Sequence, residues 1–310
     1  MKTLFADLGA TNARLIIEDD DSSLILAEKY KMSDFESIEN LISFYLGKNN
    51  LTKSVKSAII GVAAPILDND IQFVNNNFEF KINQIKKKYF PNNLIVLNDV
   101  QLQAYSLNAI KSKNIISVGK IKCPEFGPKI LVVPGTGLGL AILNSNEAIA
   151  TEAGHINIPH YDSNINNLIE TFENLNGRVP TFEDLISGKG ISFIYGFISQ
   201  NFNHSLSNRK ILENNDEDIN CVQTKEVLLK ILALFLKYSA LIIGSLGGIY
   251  LAGSLISSLF KDSDLNQFRE MFEDSPTMKV FIKNVPLYIL KDKDLAFKGA
   301  QELKEIINRH

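Results

Sequence analysis

The chain has 310 residues, 45% of them hydrophobic and 22% charged, and a formal net charge of -3. That length is about twice the common single-domain size, so two domains are expected. The slightly acidic balance gives no basic footprint for nucleic acid, which leaves a small molecule as the expected partner.

Through the first third, strands alternate with helices: Thr3 to Ala6, Arg14 to Glu18, Leu24 to Tyr30, a helix, Ala58 to Val62, a helix, then Leu94 to Leu97. Ser33, with Glu36 three residues later, reads as a capping box opening the first helix. Such alternation predicts an α/β fold with a mostly parallel sheet. No Pro-, Gly- or Ser-rich linker interrupts it.

Two segments about 125 residues apart repeat one design. "LFADLGATNARLII" (Leu4 to Ile17) and "ILVVPGTGLGLAIL" (Ile130 to Leu143) are each an apolar strand, a tight Gly/Thr turn and a second apolar strand. Neither of two ready-made phosphate motifs fits the second segment: no Gly-Lys-Ser/Thr follows, and Leu140 stands where a dinucleotide fingerprint needs its third Gly. Bare turns with outward amides and a hydroxyl still suit a polyanion, and duplication favours that reading over two ordinary hairpins.

Asn98 and Asp99 follow the strand "NLIVL", at the carboxyl end where α/β sheets hold ligands. Asp99 can act there as a general base; the plainer alternative is an N-cap for the helix beginning at Val100. Glu152 and His155 in "TEAGHINIP" flank a small Ala-Gly pair and can converge on one polar ligand. A metal pair is the weaker alternative, since no third ligand lies near in sequence. Glu183 in "TFEDLISGKG" sits near the start of a short helix capped by Thr181.

Cys123 and Cys221 lie 98 residues apart without a C-x-x-C spacing, so neither a zinc site nor a disulfide framework is signalled. Only a few apolar residues precede Asp7, too few for the apolar core of a secretory signal, and a cytoplasmic location is expected. Tyr238 to Phe260 carries no charge over 23 residues, but it contains Gly244, Gly247, Gly248 and Gly253. The apolar helical pattern Val227, Ile231, Leu234, Tyr238, Ile242 stops at that cluster. The segment therefore reads as helix, turn, strand Gly248 to Leu251, turn, and not as a membrane span.

Taken in order, "DLGATNARL", "LND", "PGTGLG", "EAGH", "FEDLISGKG" and "GGIYLAGS" resemble the bacterial glucokinase family of the sugar kinase, actin and Hsp70 superfold. The resemblance covers Leu4 to about Leu303. It implies two actin-like (ribonuclease H-like) α/β domains with an interdomain cleft, the smaller 1–108 plus 297–310 and the larger 109–296. It implies ATP-dependent phosphorylation of glucose at the 6-hydroxyl, with ATP and Mg²⁺ bound and a homodimer as the assembly. Asn98, Asp99, Glu152, His155 and Glu183 match the family's glucose positions, and Asp99 matches its base. Asp7, Gly9, Thr11 and Asn12 match the first phosphate loop, with Asp7 serving Mg²⁺ through water. Gly135, Thr136, Gly137 and Gly139 match the second, and Gly253 belongs to the segment that lies against the adenosine.

The departures concern the nucleotide. Ala10 and Ser254 stand where the family has Gly, and "DLAFKG" (Asp294 to Gly299) replaces a Pro-Gly-rich helix start. The alternatives are a related hexose or amino-sugar kinase of the same superfold, including the type with a structural zinc, or a non-catalytic sugar sensor.

Overall fold

A computed structural model describes residues 2–73, 78–119, 126–213, 218–261, 264–292 and 294–309. The chain divides into two compact units: Met1–Ile110 with Asn146–Ala150 and Asp294–His310, and Lys111–Ser145 with Thr151–Lys293. Each has its own apolar core. Cys123 lies outside the described residues.

The first unit opens with the hairpin β1 (Thr3–Leu8) and β2 (Asn12–Glu18), followed by β3 (Leu24–Lys31), α1 (Ile38–Lys48) and β4 (Ser57–Val62). A short pair β5 (Asp70–Gln72) and β6 (Glu79–Lys81) precedes α2 (Ile82–Tyr89), β7 (Asn93–Asn98) and α3 (Asp99–Tyr105). The main sheet has the order β3-β2-β1-β4-β7, with β1, β4 and β7 parallel. Leu4, Phe5 and Ala6 in β1 and Ala58, Ile59 and Ile60 in β4 are all buried. Strands covered on both faces read as unbroken apolar runs, as these do.

The first helix starts later than the sequence suggested. Met32–Asp34 forms only a 3₁₀ turn, and Ser37 is the N-cap of α1, its side chain accepting from the Asn40 amide. The apolar stripe decides this, because Ile38, Leu41, Ile42, Tyr45 and Leu46 are the residues buried on one helical face. Ser33 lies before that stripe and opens nothing.

The second unit contains β8 (Ile115–Ser117), β9 (Lys129–Pro134) and β10 (Leu138–Asn144); β11 (Glu147–Thr151) follows. Then come α4 (Ser163–Asn176), α5 (Phe182–Leu185), α6 (Gly188–Ser199), α7 (Asn208–Glu213) and the long α8 (Ile219–Ile243). The strand β12 (Gly248–Leu251), α9 (Ser254–Leu259), α10 (Leu265–Glu273), α11 (Lys279–Asn284) and β13 (Leu287–Leu290) complete it. The last helix, α12 (Leu295–Arg309), belongs to the first unit.

Strands β10, β9, β12, β13 and β8 lie side by side in that order. The run β10-β9-β12-β13 repeats β2-β1-β4-β7: an antiparallel hairpin, then two strands parallel to its first arm. The repeat legible in the two glycine hairpins is thus a repeat of sheet topology.

Helix α8 ends at Gly244, whose φ of 70° is left-handed and whose amide donates to the Ala240 carbonyl. Ile231 and Leu234 are buried as expected, whereas Ile242 is exposed in the final turn. The strand at Gly248–Leu251 follows as read. No helix among the described residues is long and apolar enough to cross a membrane. Cys221 is buried at the start of α8, where burial and the neighbouring Asp218 push its thiol up to about 11. A thiol so far from ionised at neutral pH is a poor nucleophile or metal ligand.

Candidate active site

In the first unit, the candidate residues gather at the carboxyl edge of the sheet. The register sets Leu8, Val62 and Asn98 side by side across β1, β4 and β7. Asp7 on β1 and Asp99, the residue directly after β7, therefore lie about two strand spacings apart, or about 10 Å. Asn98 is the N-cap of α3, its Oδ1 accepting from the amides of Val100 (3.0 Å) and Gln101 (3.1 Å). Its Nδ2 points to the Ala64 carbonyl at 3.4 Å. The cap considered for Asp99 thus belongs to Asn98, and Asp99 is the first helical residue, with Oδ1 accepting from the Val100 amide at 2.8 Å.

The first hairpin turns tightly, the Gly9 amide donating to the Asn12 carbonyl at 3.0 Å and Thr11 lying exposed. Beneath it, Asp7 Oδ2 receives Nη2 (2.6 Å) and Nε (3.0 Å) of Arg14, the residue opposite it in the ladder. Arg14 also lies over the Phe297 ring (5.3 Å) and reaches Asp294 at 3.5 Å. Sequence reading did not single out Arg14. A usable signal existed, because pairing Leu8 with Ala13 across the Gly9–Asn12 turn puts 7 opposite 14.

In the second unit, the glycines of the hairpin between β9 and β10 have different neighbours. At Gly135 a Cβ would meet open space, so crowding does not demand glycine there. At Gly137 a Cβ would stand 2.6 Å from Oε2 of Glu183. That carboxylate accepts from the Leu138 amide at 2.8 Å. Gly139 faces Val133 within the ladder, and Thr136 is exposed at the tip. Gly253 adjoins the same hairpin: β12 runs parallel to β9, and a Cβ at Gly253 would lie 3.2 Å from the Pro134 carbonyl oxygen. Its φ of 103° and ψ of 165° are open to glycine and costly for any other residue.

Glu152 and His155 bracket a 3₁₀ turn, Ala153–His155, seated on Leu138. A Cβ on Gly154 would overlap the Leu138 carbonyl oxygen, which explains the glycine in "EAGH". Glu152 Oε2 and His155 Nε2 are 3.8 Å apart, with both side chains more than half exposed (58% and 56%) and so open to a ligand. The following segment pairs with the entry to α5 through Phe182 N to Ile156 O (2.9 Å) and Ile158 N to Pro180 O (3.0 Å). The turn that carries Glu152 and His155 and the carboxylate of Glu183 thus both meet the glycine hairpin at Leu138. Thr181 caps α5 in a reciprocal box with Asp184, as its place in the sequence suggested, and Arg178 holds Asp184 with two contacts of 2.7 Å.

The family model for glucokinase matches residues 4–305. This chain belongs to the glucokinase family. Glucokinase of Neisseria meningitidis is 28% identical over 306 residues, covering 96% of this chain and 93% of that protein. A glucokinase from Balamuthia mandrillaris, solved in complex with glucose, has a TM-score of 0.82 at 20% identity, covering 98% of this chain and 93% of its own. A ROK family glucokinase from Streptomyces griseus, solved with glucose and AMPPNP, has a TM-score of 0.65 at 15% identity over 100% of both chains. These structural likenesses establish the actin-like ATPase fold for the glucokinase-family chain. No group of three or more His, Cys, Asp or Glu side chains able to hold a metal ion occurs among its described residues.

Proposed function

We propose that this chain transfers the γ-phosphoryl group of ATP to the 6-hydroxyl of glucose, with Asp99 as general base. Family membership over residues 4–305 supports the reaction class. The observation that carries Asp99's role is the division of labour at the end of β7: the Asn98 amide does the capping, so the acid beside it is not needed to start the helix. Asp99 accepts the proton of the 6-hydroxyl. The sugar oxygen forms its bond to the γ-phosphorus as the bond to the β-phosphate oxygen breaks, and ADP leaves. Little covalent chemistry is asked of the protein, so positioning and charge stabilisation supply most of the rate.

Glu152, His155 and Glu183 hold the sugar hydroxyls, and Asn98 contributes through Nδ2, since its Oδ1 is committed to the helix. Each hydroxyl donates and accepts, which suits an array of acids, an amide and an imidazole. A site built this way rejects sugars lacking a matching hydroxyl, because its own polar groups would be left unpaired. Gly9, Thr11 and Asn12 belong to one phosphate loop, and Gly135, Thr136, Gly137 and Gly139 to the other; Gly253 lies near the adenosine. Mg²⁺ bound with the nucleotide would neutralise phosphate charge, and Asp7 would meet it through water. One carboxylate fits an ion that keeps most of its water and binds mainly to phosphate. Arg14 engages Asp7 through Oδ2, and Oδ1 is the oxygen that would accept from such a water. A cytoplasmic homodimer completes the reading, and light scattering tests the dimer.

The experiment is a panel of hexoses and amino sugars with ATP and Mg²⁺, read as phosphate transferred. Glucose is expected to give the highest kcat/KM. Preference for an amino sugar would move the substrate, and glucose binding without turnover would make the chain a sensor.

A further inference from the structure

Within the second unit, the residues read as sugar ligands are built onto the hairpin read as a phosphate loop. Oε2 of Glu183 occupies the space a Gly137 side chain would take and accepts from the Leu138 amide at 2.8 Å. The Glu152–His155 turn rests on the carbonyl of the same Leu138 through Gly154. Five residues beyond Glu183, the Gly188 amide at the start of α6 donates to the Gly135 carbonyl at 3.0 Å. The segment Thr181 to Gly190 therefore grips the hairpin at both feet, accepting at one and donating at the other.

The two central glycines then have separate causes. Gly135 faces open space, as a backbone met by an outside ligand would. Gly137 is bare because Glu183 fills its place. A single carboxylate has one oxygen on the hairpin, and its other oxygen remains able to accept from a sugar hydroxyl.

We infer that Glu183 is a positioning residue that couples sugar binding to nucleotide binding: a sugar hydroxyl on Oε1 fixes the carboxylate whose Oε2 holds Leu138 and, through it, the phosphate hairpin. The inference rests on the sugar and phosphate reading given above. Ordering the hairpin on sugar binding removes that cost from the nucleotide, which then binds more tightly; linkage makes the effect reciprocal.

The test is calorimetric titration of a non-hydrolysable ATP analogue with Mg²⁺, in the absence and presence of saturating glucose. Wild type is expected to bind the analogue at least ~5-fold more tightly with glucose, at the low end of common coupling factors. In Glu183→Gln, which keeps size and shape, this ratio is expected to fall to within twofold of one. Gly137→Ala, which pushes Glu183 off the Leu138 amide, is expected to do the same, while Gly135→Ala weakens the analogue and keeps the ratio. Thermal denaturation confirms that each variant is folded. A wild-type ratio of one with both ligands bound, or a normal ratio in folded Glu183→Gln, overturns the inference. Failure of wild type to bind glucose at all overturns the underlying sugar reading instead.

Discussion

In the proposed site, Asn98 would serve the fold and the ligand through different atoms. Its Oδ1 takes the amides of Val100 and Gln101 in the first turn of α3, and its Nδ2 is the end able to donate to a sugar. Asn98→Ala is expected to cost about 1 kcal/mol of stability, the usual value of a lost cap, and to raise the glucose KM. Asn98→Asp keeps the cap and loses the donor, so it should restore stability in urea denaturation without restoring KM; recovery of both would reduce Asn98 to a cap. Gly135 offers the complementary case. Because a Cβ there meets open space, Gly135→Ala should fold as wild type yet weaken ATP more than glucose. An unchanged KM for ATP would remove Gly135 from the phosphate loop.

At the scale of elements, α5 owes its existence to caps, having only four residues. Burial works to raise the Asp184 carboxyl, but Arg178 and the Thr181 amide and hydroxyl overcome it and hold it below its ordinary value. A depressed carboxyl contributes stability in full above its unfolded value near 3.8 and loses it as the pH falls through the lower folded value. Wild type should therefore exceed Asp184→Asn in stability by a constant amount above about pH 5, with the gap narrowing below about pH 4. A gap independent of pH would place the effect elsewhere. Thr181 as cap and the strand at Gly248–Leu251 were legible in the sequence because local chemistry sets both. Ser33 was misread because Ser-x-x-Glu occurs there without the apolar stripe that makes a helix bury its face. The seating of Gly137 against Glu183 and of Gly154 against Leu138 was illegible, since each joins residues 16 or more apart in sequence and appears only once the sheet forms.

For the whole molecule, the duplicated hairpin and the order of six short motifs were readable in advance, while Arg14 on Asp7 could be read only by counting the hairpin register outward from its turn. The uncharged stretch from Tyr238 is broken at Gly244, so the protein is expected in the soluble fraction without detergent; recovery only with membranes would contradict that division into helix and strand. The proposed chemistry as a whole stands on Asp99. Purified Asp99→Asn should still bind glucose by calorimetry, because the amide is nearly isosteric and Asn98 keeps the helix capped. Its kcat should fall by ~10² to 10⁴, the usual loss for a positioned base. Turnover within about tenfold of wild type, ~1.4 kcal/mol in barrier, would show that Asp99 is not the base.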